Sequence, residues 1–103
     1  MANLLKETMA TLRESGKEPS DISWCGSPGW GWFSWEDFAR VADEEYDEIA
    51  SDLLIVGKDF WLERHEYDGS EWWEHKKLPA RPTNYNKPLS LMRIKMMRIG
   101  ENQ

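Results

Sequence analysis

Leu4, Leu5, Thr8, Met9 and Leu12 recur at helical spacing and predict a first helix over residues 3–15. Asn3 is suited to cap its start, and Gly16 stands where a left-handed residue closes a helix. Lys17 to Ser20 is a link, with Pro19 barring continuation of the helix. Ile22 and Trp24 alternate with polar neighbours, which predicts a short strand. Gly26-Ser27-Pro28-Gly29 marks a turn, and Trp30 to Phe33 a second short strand with Gly31 as its weak point. Ser34 then opens a second helix. Asp37, three residues on, makes a variant of the capping box, and Glu36 and Asp37 favour the positive end of the helix dipole. Trp35, Phe38, Ala39, Ala42, Tyr46 and Ile49 fall on one face of that helix, and Arg40, Asp43, Glu44, Asp47 and Glu48 on the other.

Leu53 to Val56 is short, apolar and mostly branched, the composition of a buried central strand. After Gly57-Lys58-Asp59, Phe60 to Tyr67 and Glu71 to Lys76 form a hairpin closed by Asp68-Gly69, a strong two-residue turn signal. A two-residue loop sets His65 against Trp72, Arg64 against Trp73 and Glu63 against Glu74. A three-residue loop would set Arg64 against Glu74 and Glu63 against His75, so the register stays open at this point. Alternation places Trp61, Glu63, His65 and Tyr67 on one face and Phe60, Leu62, Arg64 and Glu66 on the other. Pro79, Pro82 and Pro88 make residues 78–88 an extended link. Leu89 to Ile99 fits a helical seam (Leu89, Met92, Met96, Ile99) or an alternating strand, and Pro88 favours the helix. The expected fold is α+β: an antiparallel β-meander of about three to five strands packed with two short helices. Residues 1–79 form the compact acidic domain. Residues 80–103 are a proline-containing link and a basic Met-rich segment, expected to dock on the same domain.

Charge and composition sharpen this picture. Of the 103 residues 40% are hydrophobic, and the net charge is −6. Residues 1–75 hold 18 acids and 6 bases, while residues 76–103 hold 7 bases and 1 acid. Seven tryptophans, each able to bury roughly 150–250 Å², exceed what one small core absorbs, so at least one is expected at the surface. The longest apolar run, Leu53–Val56, is far short of a membrane span. With no secretory h-region and a single cysteine, Cys25, the expected setting is the cytoplasm of a cell.

The candidate chemistry is thin. His65, His75, Glu63 and Glu74 are ligand types for zinc or iron, but no ligand spacing accompanies them; a metal-binding module or enzyme on His65 and His75 is the alternative. Cys25 beside Trp24 reads as a small buried apolar residue. The glycines at 26, 29 and 31 fit no phosphate-binding fingerprint. No base lies between Lys17 and Arg40 among the clustered aromatics, which argues against direct nucleic-acid binding. No catalytic residue, metal or cofactor is assigned. The acidic run Asp43, Glu44, Glu45, Asp47 and Glu48 suits a surface that steers toward a basic groove, and Trp72 or Trp73 suits an anchor. The expected partner is a protein, with self-association of the Trp surface into a homodimer as a further reading.

The run Asp52-Leu-Leu-Ile-Val-Gly57, followed by Phe60-Trp-Leu-Glu-Arg-His-Glu-Tyr-Asp-Gly-Ser-Glu-Trp-Trp-Glu74, resembles a signature of small acidic phage and prophage proteins. The resemblance spans about residues 34–79. It implies an accessory protein of a mobile genetic element, at work in the cytoplasm of a bacterial host cell, that binds and inhibits a host nucleic-acid-binding or defence protein in the manner of an anti-CRISPR. It brings no catalytic residues.

Overall fold

The computed structural model describes residues 2–83 and 90–95. Helix α1 (Leu4–Glu14) begins at Asn3, whose side chain accepts from the Lys6 N–H at 3.0 Å. It closes with a Schellman arrangement: Lys17 N–H donates to Leu12 C=O (2.8 Å) and Gly16 N–H to Arg13 C=O (3.1 Å), with Gly16 at φ 72°. Leu4, Thr8 and Leu12 are its buried stripe. A single 3-10 turn, Pro19–Asp21, leads into β1 (Ile22–Ser27). The strand runs through Gly26 and Ser27, which the sequence assigned to the turn, and the chain reverses over residues 28–30 instead. The turn signal is real, but it acts two residues later because Gly26 pairs with Trp32 within the ladder. That pairing needs a glycine. Gly26 sits at φ 150°, and a Cβ there would lie 2.2 Å from the Gly31 carbonyl oxygen. Strand β2 (Gly31–Phe33) follows, then α2 (Trp35–Ala42), capped by Ser34 accepting from Asp37 N–H at 3.1 Å.

The second helix stops at Ala42, short of the predicted face through Tyr46 and Ile49. Tertiary hydrogen bonding wins over helical periodicity here. The chain leaves the helix to run antiparallel past the start of α1. Asn3 pairs with Glu45, Leu4 N–H donates to Glu44 C=O at 3.2 Å, and Tyr46 N–H donates to Ala2 C=O at 3.2 Å. One of the first-turn N–H groups of α1, which has no partner inside its own helix, is satisfied this way. Asp43 to Glu48 is therefore a crossing loop and not a helix face.

Strands β3 (Leu54–Gly57), β4 (Phe60–Tyr67) and β5 (Ser70–Lys77) complete a five-stranded antiparallel sheet in the order β2-β1-β3-β4-β5. Leu54–Gly57 is the central strand, one residue on from the Leu53–Val56 run that predicted it. The β4–β5 hairpin adopts the two-residue register, with Arg64 opposite Trp73 and His65 opposite Trp72. Asp68 and Gly69 both have positive φ (52° and 82°), the signature of a type I′ turn. The α+β class and the antiparallel sheet stand as read from the sequence.

The registers divide the sheet into two faces. Cys25, Ile55, Phe60, Leu62, Arg64 and Trp73 share the inner face, where Leu4, Leu12, Phe38 and Ala42 of the helices close the core. Burying each large side chain there contributes roughly 1.5–3 kcal/mol. Both helices lie on this side. Residues 91–95 are helical, in keeping with the helix favoured for that segment, while Leu89, Met96 and Ile99 of the seam lie outside the described residues. Residues 77–83 and 90–95 are exposed throughout.

Candidate functional site: an uncovered aromatic sheet face

An antiparallel sheet with one wet face ordinarily turns polar side chains outward. This one turns Trp24, Trp32, Leu54, Val56, Trp61 and Trp72 outward, as follows from the pairs Trp24–Val56, Val56–Trp61, Gly26–Trp32 and His65–Trp72. Trp32 is 73% exposed, Trp30 at the tip of the β1–β2 turn 88%, and Trp72 37%. The expectation of surface tryptophan is met at Trp72, one of the two anchors the sequence offered, and at Trp30 and Trp32, which it did not single out.

Between the indoles runs a polar ladder. Glu63 and Glu74 stand directly opposite each other, an unfavourable pairing of like charges that their neighbours offset. Trp61 Nε1 donates to Glu63 Oε1 (2.7 Å) and Trp72 Nε1 to Glu74 Oε2 (3.1 Å). His65 sits between the carboxylates, with Nε2 2.9 Å from Glu63 and Nδ1 3.5 Å from Glu74, and Lys76 Nζ is 3.3 Å from Glu74. These donors hold both carboxyls below the ordinary glutamate range, the indole N–H bond being the largest cause for each. The ladder fixes Trp61 and Trp72 as rigid, shaped apolar platforms.

At the β1–β2 end the face opens into a cleft of about 610 Å³ lined by Ser23, Trp24, Ser27, Pro28, Gly31 and Trp32. Ser27 is 6% exposed, and its Oγ has no hydrogen-bond partner among the described residues.

The inner face holds a second polar group, and it is structural. Arg64 occupies a core position on the apolar phase of β4, its side chain 2% exposed. Nη1 lies 2.8 Å from Glu7 Oε1, and Nη2 lies 3.1 Å from Tyr46 Oη and 3.4 Å from Glu71 Oε1. The guanidinium lies 4.8 Å from the Trp73 ring centroid. Tyr46 Oη donates to Glu7 in turn. Burial works against the Arg64 charge, but the hydrogen bonds to Glu7 and Tyr46 outweigh it and raise its pKa above the ordinary value. Trp73 Nε1 donates to Thr8 Oγ1 at 2.9 Å, and Thr8 Oγ1 to Leu4 C=O at 2.7 Å.

The sequence-derived candidates distribute as follows. Trp73 is 6% exposed and belongs to the core, so it cannot anchor an external partner. Trp72 is on the uncovered face. Asp43, Glu44, Glu45, Asp47 and Glu48 are all exposed, on the loop that crosses the helical layer. Acids and Trp72 thus lie on opposite sides of the sheet and form no single patch. His65 is on the outer face and His75 on the inner one, opposite Leu62 and stacked on Phe60 at 5.7 Å. The sheet separates the two imidazoles, so the shared His65–His75 metal site is ruled out. No group of three His, Cys, Asp or Glu side chains among the described residues is arranged to hold a metal ion. Burial, aided by Glu36, pushes the Cys25 thiol up to about 12, which removes it as a nucleophile.

No protein-family model, curated protein or solved structure matches the chain. No described helix is long and apolar enough to cross a membrane.

Proposed function

We propose that the protein acts without catalysis, by binding another protein through the uncovered sheet face. The observation that carries this reading is the outward row of Trp24, Trp32, Trp61 and Trp72 on a sheet whose helices α1 and α2 both pack on the other side. Tryptophan is the residue most enriched at binding hot spots, and a contiguous exposed apolar surface on a small domain is an interaction surface by default. The ladder of Glu63, His65 and Glu74 supplies polar groups within that surface.

The charge of the body selects the partner. With 18 acids and 6 bases over residues 1–75, the domain attracts basic proteins, such as those that bind nucleic acid. The loop Asp43–Glu48 lies on the opposite layer, so it steers approach and does not form the contact. The resemblance of residues 52–74 to small phage and prophage proteins supports an accessory inhibitor of a host protein, working in the bacterial cytoplasm. The test is affinity capture from bacterial lysate at low and high salt. A basic protein bound through the sheet face and captured faster at low salt is the expected result. Capture of nothing but the chain itself would refute the reading.

A further inference from the structure

Residues 78–82 read Leu-Pro-Ala-Arg-Pro, an exposed Pro-x-x-Pro segment that leaves the end of β5. Pro79 and Pro82 fix φ near −65°, and each forces the residue before it, Leu78 and Arg81, into extended backbone. The segment is thus preorganised toward polyproline II, a conformation whose carbonyls have no internal partner. Aromatic-lined grooves bind such segments by packing rings against the prolines and donating hydrogen bonds to those carbonyls. The β1–β2 cleft has the matching parts. Trp24, Trp32 and Pro28 form its apolar wall. The indole N–H groups of Trp24 and Trp32 donate to no group among the described residues, and Ser27 Oγ is unpartnered. The Asp52 carboxylate lies beside the β1–β2 turn, 3.7 Å from where a Cβ on Gly29 would lie, an acid of the sign that Arg81 calls for.

The segment cannot reach the cleft of its own chain. Leu78 N–H is tied to Asp59 C=O at 2.7 Å, and β5 is three strand spacings from β1, about 14 Å at roughly 4.8 Å each. Pro79, one residue past that tie, reaches only about 3.3–3.6 Å from it, so Pro79 and Pro82 cannot both sit in the cleft of their own chain. We therefore propose that the cleft of one copy takes the Leu78–Thr83 segment of a second copy, with Arg81 against Asp52. Cleft and segment lie on opposite edges of the sheet, so the contact is head-to-tail and builds rings or short chains. The proposal rests on the reading of the sheet face as a binding surface. It involves only its β1–β2 end, so it fails independently of a partner held at Trp61 and Trp72.

The experiment is sedimentation velocity of the full chain over a range bracketing a Kd of roughly 10–100 µM, the strength of a small interface. The wild type is expected to associate with rising concentration. Trp32→Ala, which breaks the cleft, and Pro79→Ala/Pro82→Ala, which breaks the segment, are each expected to weaken association about tenfold or more. Both changes are at exposed positions and leave the core intact. Mixed together, the two variants should form a one-to-one dimer and nothing larger, since each mixture holds one intact cleft and one intact segment. A wild type that stays monomeric overturns the proposal, as does association that survives either variant. A synthetic peptide of residues 76–83 is expected to perturb the tryptophan fluorescence of the wild type and not of Trp32→Ala; a peptide without effect on the wild type also overturns the proposal.

Discussion

Replacing Arg64 with Met keeps most of the side-chain stem and removes the charge that holds the inner polar group together. The structure sets the scale of the loss. Arg64 is within hydrogen-bond reach of Glu7 and Glu71 and is almost wholly buried. Each charge-assisted bond contributes about 1.5–3 kcal/mol, and breaking a buried pair from one side costs roughly 3–5 kcal/mol because the partner charge is stranded. Glu7 and Glu71 keep side-chain exposures of 22% and 14%, so some of that penalty is relieved by water, and the expected loss is about 3 kcal/mol. Against a total of roughly 5–15 kcal/mol for a small domain, that is a large fraction. Glu7→Gln alone should cost about 1–2 kcal/mol, since an amide oxygen still accepts from Nη1. The double variant should cost less than the sum by about 1 kcal/mol or more, because no carboxylate is then stranded at that position. Urea denaturation with linear extrapolation reads all three. A loss below about 1 kcal/mol for Arg64→Met would mean the pair behaves like a surface ion pair and would refute the argument.

Three further outcomes follow from particular residues. Cys25 should stay unreactive toward a thiol reagent near neutral pH, with labelling no faster than opening of the sheet; rapid stoichiometric labelling of the native protein would contradict its burial. Gly26→Ala should destabilise by about 2–4 kcal/mol, since a Cβ meets backbone and not a side chain that can move; an unchanged urea midpoint would show that the hairpin packs otherwise. Glu63 and Glu74 have depressed pKa values in the folded state, so their contribution to stability is full above the ordinary glutamate range and is lost as pH falls through the folded values. The acid-induced drop should shrink in Glu63→Gln/Glu74→Gln, and an identical pH profile in that variant would count against the ladder.

Much of the fold was legible because local signals agreed with tertiary structure. Asn3, Gly16, Ser34 and Asp68-Gly69 each act where their chemistry says they should, and Leu54–Gly57 is central because its apolar run suits burial. The second helix was misread past Ala42 because Tyr46 and Ile49 continue its period. The chain leaves that period to satisfy the start of α1, about 40 residues away, and to bring Tyr46 to Arg64, 18 residues on, contacts that helical periodicity does not report. The site was half legible. Two-residue alternation already placed Arg64 in phase with Phe60 and Leu62, a charge at a core position that calls for a buried counterion; Glu7 is 57 residues away and could not be named. The fate of Trp72 and Trp73 depends on which face the helices cover, which alternation alone does not say. Trp32 becomes an outer-face residue only through its pairing with Gly26.

The central claim, that the uncovered sheet face is the binding surface, is tested most directly by comparing capture from bacterial lysate by three forms of the chain. One is the wild type, one carries Trp61→Ala/Trp72→Ala, and one carries Lys at Glu44, Asp47 and Glu48. Each is first checked for an intact fold by its thermal transition. The account predicts that the tryptophan variant loses the partner, while the charge variant keeps it but captures it more slowly and with less dependence on salt. Undiminished capture by the tryptophan variant, with loss in the charge variant, would contradict the account and move the contact to the helical layer.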